Sequence, residues 1–365
     1  MSDERTLDLL ETKIQELRAL DEVDGMDLGM EIAKLEKRLE SLRRELYASL
    51  SDWERVRIAR HPKRPYALDY IEELFGGFYE IHGDRIAGDD RALLAGLAKF
   101  EGQSIVLLAQ QKGRTTEENK ERFFGMTRPQ GYRKALRAML LAERFGFPLV
   151  SFIDTPGAYP GLEAEQLNIG GAIAESLLRM TSLRVPIISV VIGEGGSGGA
   201  LAIGVADRIL MLENAIYSVI SPEGAAAILW KDKERAKEAA AALNLTASHL
   251  ENLGLIDGII PEPLGGAHKD FRQTAGSLRD ALSSHLSDLL DVPIDELVGA
   301  RYERYRRIGR FRPVSSVQQG EPASAARVTE PVSEPTNSET PSEVERGEPL
   351  EEGISEALPQ DKNDQ

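Results

Sequence analysis

The stretch VIGEGGSGGALAIG, Val191 to Gly204, places five glycines within the seven residues from Gly193 to Gly199. Glycine loses more conformational freedom on folding than any other residue, so a cluster of this kind needs a geometric cause. Three chemistries fit the spacing. Gly193, Gly195 and Gly198 spell GxGxxG, and Glu213 follows about 20 residues on, which is the pattern of a dinucleotide-binding turn. Gly195, Ser197 and Gly199 spell GxSxG, the elbow that exposes a nucleophilic serine, with Asp257 and His268 downstream to complete a triad. Gly198, Gly199 and Ala200 offer backbone N–H groups at a helix start, the material of an oxyanion hole. A fourth reading is purely structural, with backbone packed closely on backbone. Spacing alone leaves all four open.

The elements around the cluster narrow its setting. Val185 to Ile192 is β-branched and nearly uncharged, as a strand buried on both faces would be. Gly198 to Ala206 is short, small and apolar and predicts a buried helix. The glycines therefore lie at a strand-to-helix turn, where unpaired N–H groups meet the positive end of a helix dipole. FIDTPGAYPG, Phe152 to Gly161, repeats the arrangement: a buried run, a glycine-bearing turn, then a helical pattern. Further strand-like runs are Leu93 to Phe100, Ser104 to Gln110, Pro148 to Asp154, Arg208 to Leu212 and Ile216 to Ile220. Helical patterns cover Gly131 to Phe145 and Glu163 to Leu183, the latter with Ile173, Leu177 and Met180 on one face, and another helix starts near Leu68. Strands alternating with helices predict an α/β fold with a largely buried sheet. A dinucleotide fingerprint belongs early in such a domain, and here it comes late.

Composition excludes several functions. The 365 residues contain no cysteine, which removes disulfides, thiolate nucleophiles and cysteine-ligated zinc. The five histidines, His61, His82, His249, His268 and His285, show no HExxH-like spacing, so no metal site is expected. Formal net charge is −16, but Pro313 to Gln365 holds 12 acidic and three basic residues, so −9 of it belongs to the C-terminal segment. That segment is rich in proline, serine and glutamate, with little to bury, and is expected to be disordered. No basic, aromatic-interleaved stripe points to nucleic acid. The most apolar window, Val185 to Val205, is broken by Glu194 and six glycines, which argues against a membrane span. MSDERTLDLL has acids and no apolar leader core, so the expected location is cytoplasmic.

At the N-terminal end, Leu7, Leu10, Ile14 and Leu17, then Ile32, Leu35, Leu39, Leu42 and Leu46, recur at helical spacing on either side of DEVDGMD. This predicts an antiparallel helical hairpin. The expected organisation is a hairpin over 1–50, a catalytic domain over 51–312 and the acidic tail over 313–365.

Taken in order, RPYALDYI, HGDR, QQKGR, FGMTRPQGYRKALRAM, FIDTPGAYPG, VIGEGGSGGALAIGVADRILMLENAIYSVISPEGAAAILWK and LIDGIIPEPLGGAH closely resemble the α subunit of the carboxyltransferase component of multi-subunit acetyl-CoA carboxylase. The resemblance runs from about Leu7 to Arg307. It implies a crotonase/ClpP-like spiral of strand–strand–helix units. It also implies transfer of a carboxyl group from carboxybiotin, borne on a biotin carboxyl carrier protein charged by biotin carboxylase, to acetyl-CoA, giving malonyl-CoA for fatty acid synthesis. No cofactor would be bound covalently to this chain and no metal held by it. A β subunit bearing a zinc ribbon would complete the active site in an (αβ)₂ assembly, consistent with the missing cysteines. Negative charge then develops on the thioester and ureido oxygens, which fixed N–H groups in a dry cleft can hold without reorganising.

By the same resemblance, Gly198 and Gly199, with Ala200 adjacent, would hold the ureido oxygen. Gly157, Ala158, Tyr159 and Gly161 would shape the biotin pocket. Lys112, Arg114, Arg133 and Lys134 are the cations available for CoA phosphates. In one place the chain departs from the family: Leu167, Asn168 and Ile169 replace a charged segment, so any contact the family makes there is in question.

Overall fold

The computed structural model describes residues 2–24, 28–48 and 50–309. The segment 313–365, expected to be disordered, lies outside the described residues, as do Arg310 to Arg312 of the expected catalytic domain.

Eight strands form one sheet: β1 (Gly76–Glu80), β2 (Leu93–Phe100), β3 (Gln103–Gln110), β4 (Leu149–Thr155), β5 (Ile187–Gly196), β6 (Arg208–Leu212), β7 (Ile216–Ser218) and β8 (Gly258–Ile260). Their order is β1-β2-β3-β4-β5-β6-β8, with β7 off this path and paired to β5. β1, β2 and β3 are antiparallel, and every pairing from β3 onward is parallel. β4 and β5 are buried at every residue, as the uninterrupted apolar runs demand of central parallel strands. Two of the runs read from sequence, Leu93–Phe100 and Arg208–Leu212, coincide with strands. The short β1 and β8 carry too few residues to show an alternation.

The helices are α1 (Ser2–Asp24), α2 (Gly29–Ala48), α3 (Asp52–Ala59), α4 (Ala67–Leu74), α5 (Thr116–Glu121), α6 (Pro129–Phe145), α7 (Leu162–Gln166), α8 (Ile169–Ser182), α9 (Ser197–Leu201), α10 (Pro222–Trp230), α11 (Ala236–Leu243), α12 (Ala247–Asn252), α13 (Phe271–Leu290) and α14 (Ile294–Arg306). Ile14, Ile32 and Leu39 form a small buried cluster between α1 and α2, flanked by Leu10, Leu17, Leu35 and Leu42. The side chains of Leu7 and Leu46 lie outside the described ones.

The structure revises three of the boundaries read from sequence. The helix expected over Glu163 to Leu183 breaks at Asn168, which adopts φ 60° and caps α8 by accepting the Gly171 N–H at 3.0 Å. Ile169 beyond it is buried, so the atypical Leu167–Ile169 segment is a helix junction packed on the core. β5 runs four residues past Ile192 into the glycines. The helix expected to reach Ala206 ends at Leu201, where the Ile203 and Gly204 N–H groups bond the carbonyls of Ala200 and Leu201, three residues back, and so tighten the last turn.

Two buried arginines tie the periphery to the sheet. Arg301 of α14 is 1% exposed, bonds both Asp207 oxygens at 2.8 and 2.7 Å, and donates to the carbonyls of Met180, Leu183 and Val185. Arg64 donates to the Ile192 carbonyl at 2.9 Å and makes a two-pronged bond to Glu262 at 2.6 and 2.9 Å. Burial works to raise the Glu262 pKa, but the Arg64 guanidinium and the Asn214 amides prevail and hold it below the usual carboxylate value.

Arg301→Met strands the buried Asp207 carboxylate and is expected to cost about 3–5 kcal/mol in denaturant unfolding. Because Glu262 has a lowered pKa, its stabilisation is full above the unfolded value and is lost as pH falls through the folded one. Glu262→Gln should therefore show a smaller loss of Tm than the wild type between about pH 6 and pH 3.

Candidate active site

Two turns leave the carboxyl ends of adjacent central strands, the usual place for ligands in an open parallel sheet. One follows β4 through Pro156 to Gly161; the other leaves β5 at Gly196 and enters α9 at Ser197. They touch through main chain. A Cβ on Gly199 would sit 2.5 Å from the Ala158 nitrogen and the Gly157 carbonyl carbon, and one on Gly196 would collide with the Pro156 carbonyl. Gly193 leaves room for the Asp154 carboxylate, whose Oδ1 would be 2.5 Å from a Cβ there, and Gly195 for the Tyr217 ring at 2.8 Å. Four of the five clustered glycines are thus required by packing.

Gly198 is different. A Cβ on it would meet only Ile173 atoms, at 3.8 and 4.0 Å, its φ is not positive, and it is half-buried where the other four are buried. Nothing in the fold demands glycine there, whereas close approach by a ligand would. Ser197, just before it, is exposed and held at φ 54°, a conformation costing a non-glycine residue about 1 kcal/mol. With Gly196 as N-cap, Ser197, Gly198 and Gly199 occupy the first three helical positions, whose N–H groups have no acceptor within the helix. Ala200 is the fourth position, and its N–H falls to the Gly196 carbonyl in an α-helical repeat. This removes Ala200 from the expected donor set and leaves Gly198 and Gly199.

The turns are braced from below by polar side chains at the strand ends. Asp154 Oδ1 accepts the Glu194 N–H at 2.9 Å and Lys112 Nζ at 2.6 Å, and Glu194 lies 3.9 Å from Lys112 and 2.6 Å from Arg60. Burial would lower the Lys112 pKa, but the Asp154 and Glu194 carboxylates raise it above the ordinary lysine value, so it stays charged. Gln110, fully buried, accepts the Asp154 N–H at 3.2 Å and donates to the Gly199 carbonyl at 2.7 Å. Sequence reading missed Gln110, Asp154 and Glu194; the available signal was a polar residue closing or interrupting each apolar run.

The other expected residues are dispersed. Tyr159 is half-buried, edge-on to Phe123 at 5.1 Å, and its N–H bonds the Thr127 carbonyl at 3.0 Å. Gly161 has no Cβ to obstruct the Tyr159 ring, and Gly157 takes φ 154° beside Ser197. Among the four cations, Lys134 is withdrawn as a phosphate contact: it is fully buried against Asp89 at 2.6 Å and the Asp90 carbonyl at 2.8 Å. Lys112 is taken up by its two carboxylates, and Arg133 by the Leu167 carbonyl and Asp84. Arg114 pairs with Asp69 and stacks over Tyr66, and its side chain is 46% exposed, the most open of the four.

The competing motifs fail on geometry. Gly193 and Gly195 lie inside β5, not in a turn, so no dinucleotide loop forms. Asp257 is engaged by the Ile209 N–H at 2.6 Å and Arg304 at 2.5 Å, while His268 stacks on His61 at 3.8 Å with its Nδ1 buried and unpaired. Ser197 has the backbone of a nucleophile elbow but no assembled triad.

A family model described as acetyl co-enzyme A carboxylase carboxyltransferase-like matches residues 1–309. The acetyl-coenzyme A carboxylase carboxyl transferase subunit alpha of Halalkalibacterium halodurans is 53% identical over 306 residues, spanning 84% of this chain and 94% of that protein. The chain belongs to this family. The namesake subunit of Halorhodospira halophila is 52% identical over 301 residues, 82% of this chain and 95% of its own. As a member of the family the chain is an enzyme subunit of the carboxyl-transfer class. Among solved structures, transcarboxylase 12S aligns at TM-score 0.50 and 22% identity over 63% of this chain and 44% of its own. The β subunit of Pseudomonas aeruginosa geranyl-CoA carboxylase aligns at 0.50 and 19% over 67% and 46%. This chain thus spans under half the length of either, and the likeness concerns the fold, a mixed α/β architecture built on a mainly parallel sheet.

Gly196→Ala and Gly199→Ala are expected to lower stability by about 1–3 kcal/mol each through overpacking, whereas Gly198→Ala should be neutral or slightly stabilising, as calorimetry of the three variants would reveal.

Proposed function

We propose that this chain contributes one half of a carboxyltransferase active site, in which the Gly198 and Gly199 N–H groups hold the ureido oxygen of carboxybiotin while a carboxyl group passes to acetyl-CoA to give malonyl-CoA. The observation that carries the reading is the contrast at the turn: four glycines clamped by packing and one, Gly198, half-buried with room for a Cβ that the fold leaves unused. Carboxybiotin, when bound, supplies the carboxyl group. Its urea oxygen suits the donor set, since two adjacent amides with no acceptor within α9 complement a single electron-rich oxygen.

The residues of the chain act by holding and shaping. Fixed N–H donors bind growing negative charge without reorganisation, and losing one such donor typically costs about 10²–10³ in rate. The turn from Gly157 through Ala158 and Tyr159 to Gly161 forms the facing wall of the pocket, and Arg114 is the cation with surface to offer a CoA phosphate. A β subunit carrying the zinc ribbon supplies the donors for the thioester, in an (αβ)₂ complex that receives carboxybiotin on a carrier protein loaded by biotin carboxylase. The strand–strand–helix units of the catalytic domain form a crotonase-like spiral, with the helical hairpin at the N-terminal end as an appendage. No described helix is long and apolar enough to cross a membrane, and the proposed setting is the cytoplasm.

The purified chain is expected to be inactive with malonyl-CoA and biocytin, and to gain activity when mixed with its β subunit. In that complex Gly198→Val, which keeps its N–H but crowds the approach to it, should lose about 10²-fold in kcat by displacing the ureido oxygen, while Ser197→Ala keeps turning over. Full activity of Gly198→Val would overturn the oxyanion reading, and a fluorophosphonate adduct on Ser197, abolished by Ser197→Ala, would favour the hydrolase reading instead.

A further inference from the structure

α9 is the least self-sufficient helix in the site. It has five residues, two of them glycines in its first three positions, and helices this short do not hold their form unaided. Its own repeat also deserts the Gly199 carbonyl, because the Ile203 N–H that would bond it in an α-helix turns to the Ala200 carbonyl at 3.3 Å. The missing donor comes from another strand. Gln110, the last residue of β3 and fully buried, places Nε2 2.7 Å from that carbonyl, with the Tyr132 hydroxyl more distant at 3.5 Å. The amide has one possible orientation, since only Oε1 can accept the Asp154 N–H, leaving Nε2 for Gly199. One side chain thus spans from the end of β4, which launches the Gly157–Gly161 turn, to the start of α9, which carries Gly198 and Gly199.

We propose that Gln110 is a positioning residue for carboxyl transfer, setting the separation of the two glycine turns through its N–H donor on the Gly199 carbonyl. The proposal rests on the reading of Gly198 and Gly199 as the oxyanion site. Gln110 touches no substrate. It acts by holding a flexible pair of glycines at one distance from the facing wall, where a displacement of about 1 Å can cost about 10²-fold in rate.

Gln110→Glu separates a positioning role from a merely structural one. As a carboxylate, the replacement can still accept the Asp154 N–H but offers Gly199 no donor; once protonated, its O–H restores the donor in the same place. Full-length chain in complex with its β subunit would be assayed with malonyl-CoA and biocytin from about pH 6 to pH 9, alongside wild type and Gln110→Met. The expected result is a ratio of Gln110→Glu to wild-type kcat that falls about 10²-fold as pH rises and recovers as it falls, with KM for malonyl-CoA unchanged. Gln110→Met, which has neither form of the donor, should stay low at every pH while still co-purifying with β. A pH-independent ratio for Gln110→Glu, or wild-type kcat in Gln110→Met, would overturn the proposal. Gly198→Val distinguishes the two failures: if that variant is inactive while both Gln110 variants are active, the oxyanion reading survives and the role of Gln110 does not; if Gly198→Val is active, the site reading itself is wrong.

Discussion

Main chain pressed against main chain, where Gly196 and Gly199 meet Pro156, Gly157 and Ala158, is the contact from which the rest of the site takes its form. Any side chain at either glycine would force the two turns apart, so the strands beneath them can approach only if both positions lack a Cβ. The closeness has local consequences. β5 continues four residues beyond its apolar run to reach β7, Ser197 is driven into a left-handed conformation, and α9 stops after five residues. A pair of turns packed this way is rigid because backbone has no rotamers to give, which is what the proposed oxyanion site requires.

Under that contact the strand ends carry an unusual density of buried polar groups. Lys112, Asp154, Glu194 and Arg60 form a chain of charge contacts across β3, β4 and β5 to the segment after α3, and Arg64 with Glu262 and Arg301 with Asp207 repeat the device at other edges. Buried ion pairs seldom add net stability over well-packed apolar groups. Their contribution here is geometric: each has a side chain that accepts or donates to a specific backbone group, such as the Ile192 carbonyl for Arg64 and the Glu194 N–H for Asp154. Of the cations suggested by sequence for an external phosphate, Lys112 is consumed by this network and Lys134 by a separate contact with Asp89 and the Asp90 carbonyl.

Much of the fold was legible beforehand because burial on both faces leaves a plain signature. Leu149–Thr155 and Ile187–Gly196 contain apolar runs too long and too β-branched for anything but central strands, and the 3.6-residue pattern of Pro129–Phe145 is unambiguous. The break at Asn168 was not legible, since the apolar pattern continues through it and only the left-handed cap interrupts the helix. At the site, the glycine cluster announced itself, but its local motifs pointed to three chemistries at once. The ordered blocks resembling a carboxyltransferase α subunit pointed instead to a family, and the family model matching residues 1–309 shows that family.

By itself, then, the sequence determined which segments must be buried, where two strand-to-helix turns fall, and the family to which the chain belongs. All of these depend on residue type and short-range order. Only the tertiary structure decided which glycines serve packing and which one is spare, that Ala200 lies within the helix repeat, and that Gln110 reaches from β3 to the Gly199 carbonyl. Apart from the place of Ala200, those facts depend on distances between residues about 20 to 90 positions apart in the chain, and a through-space contact leaves no mark on the local pattern that a single sequence displays.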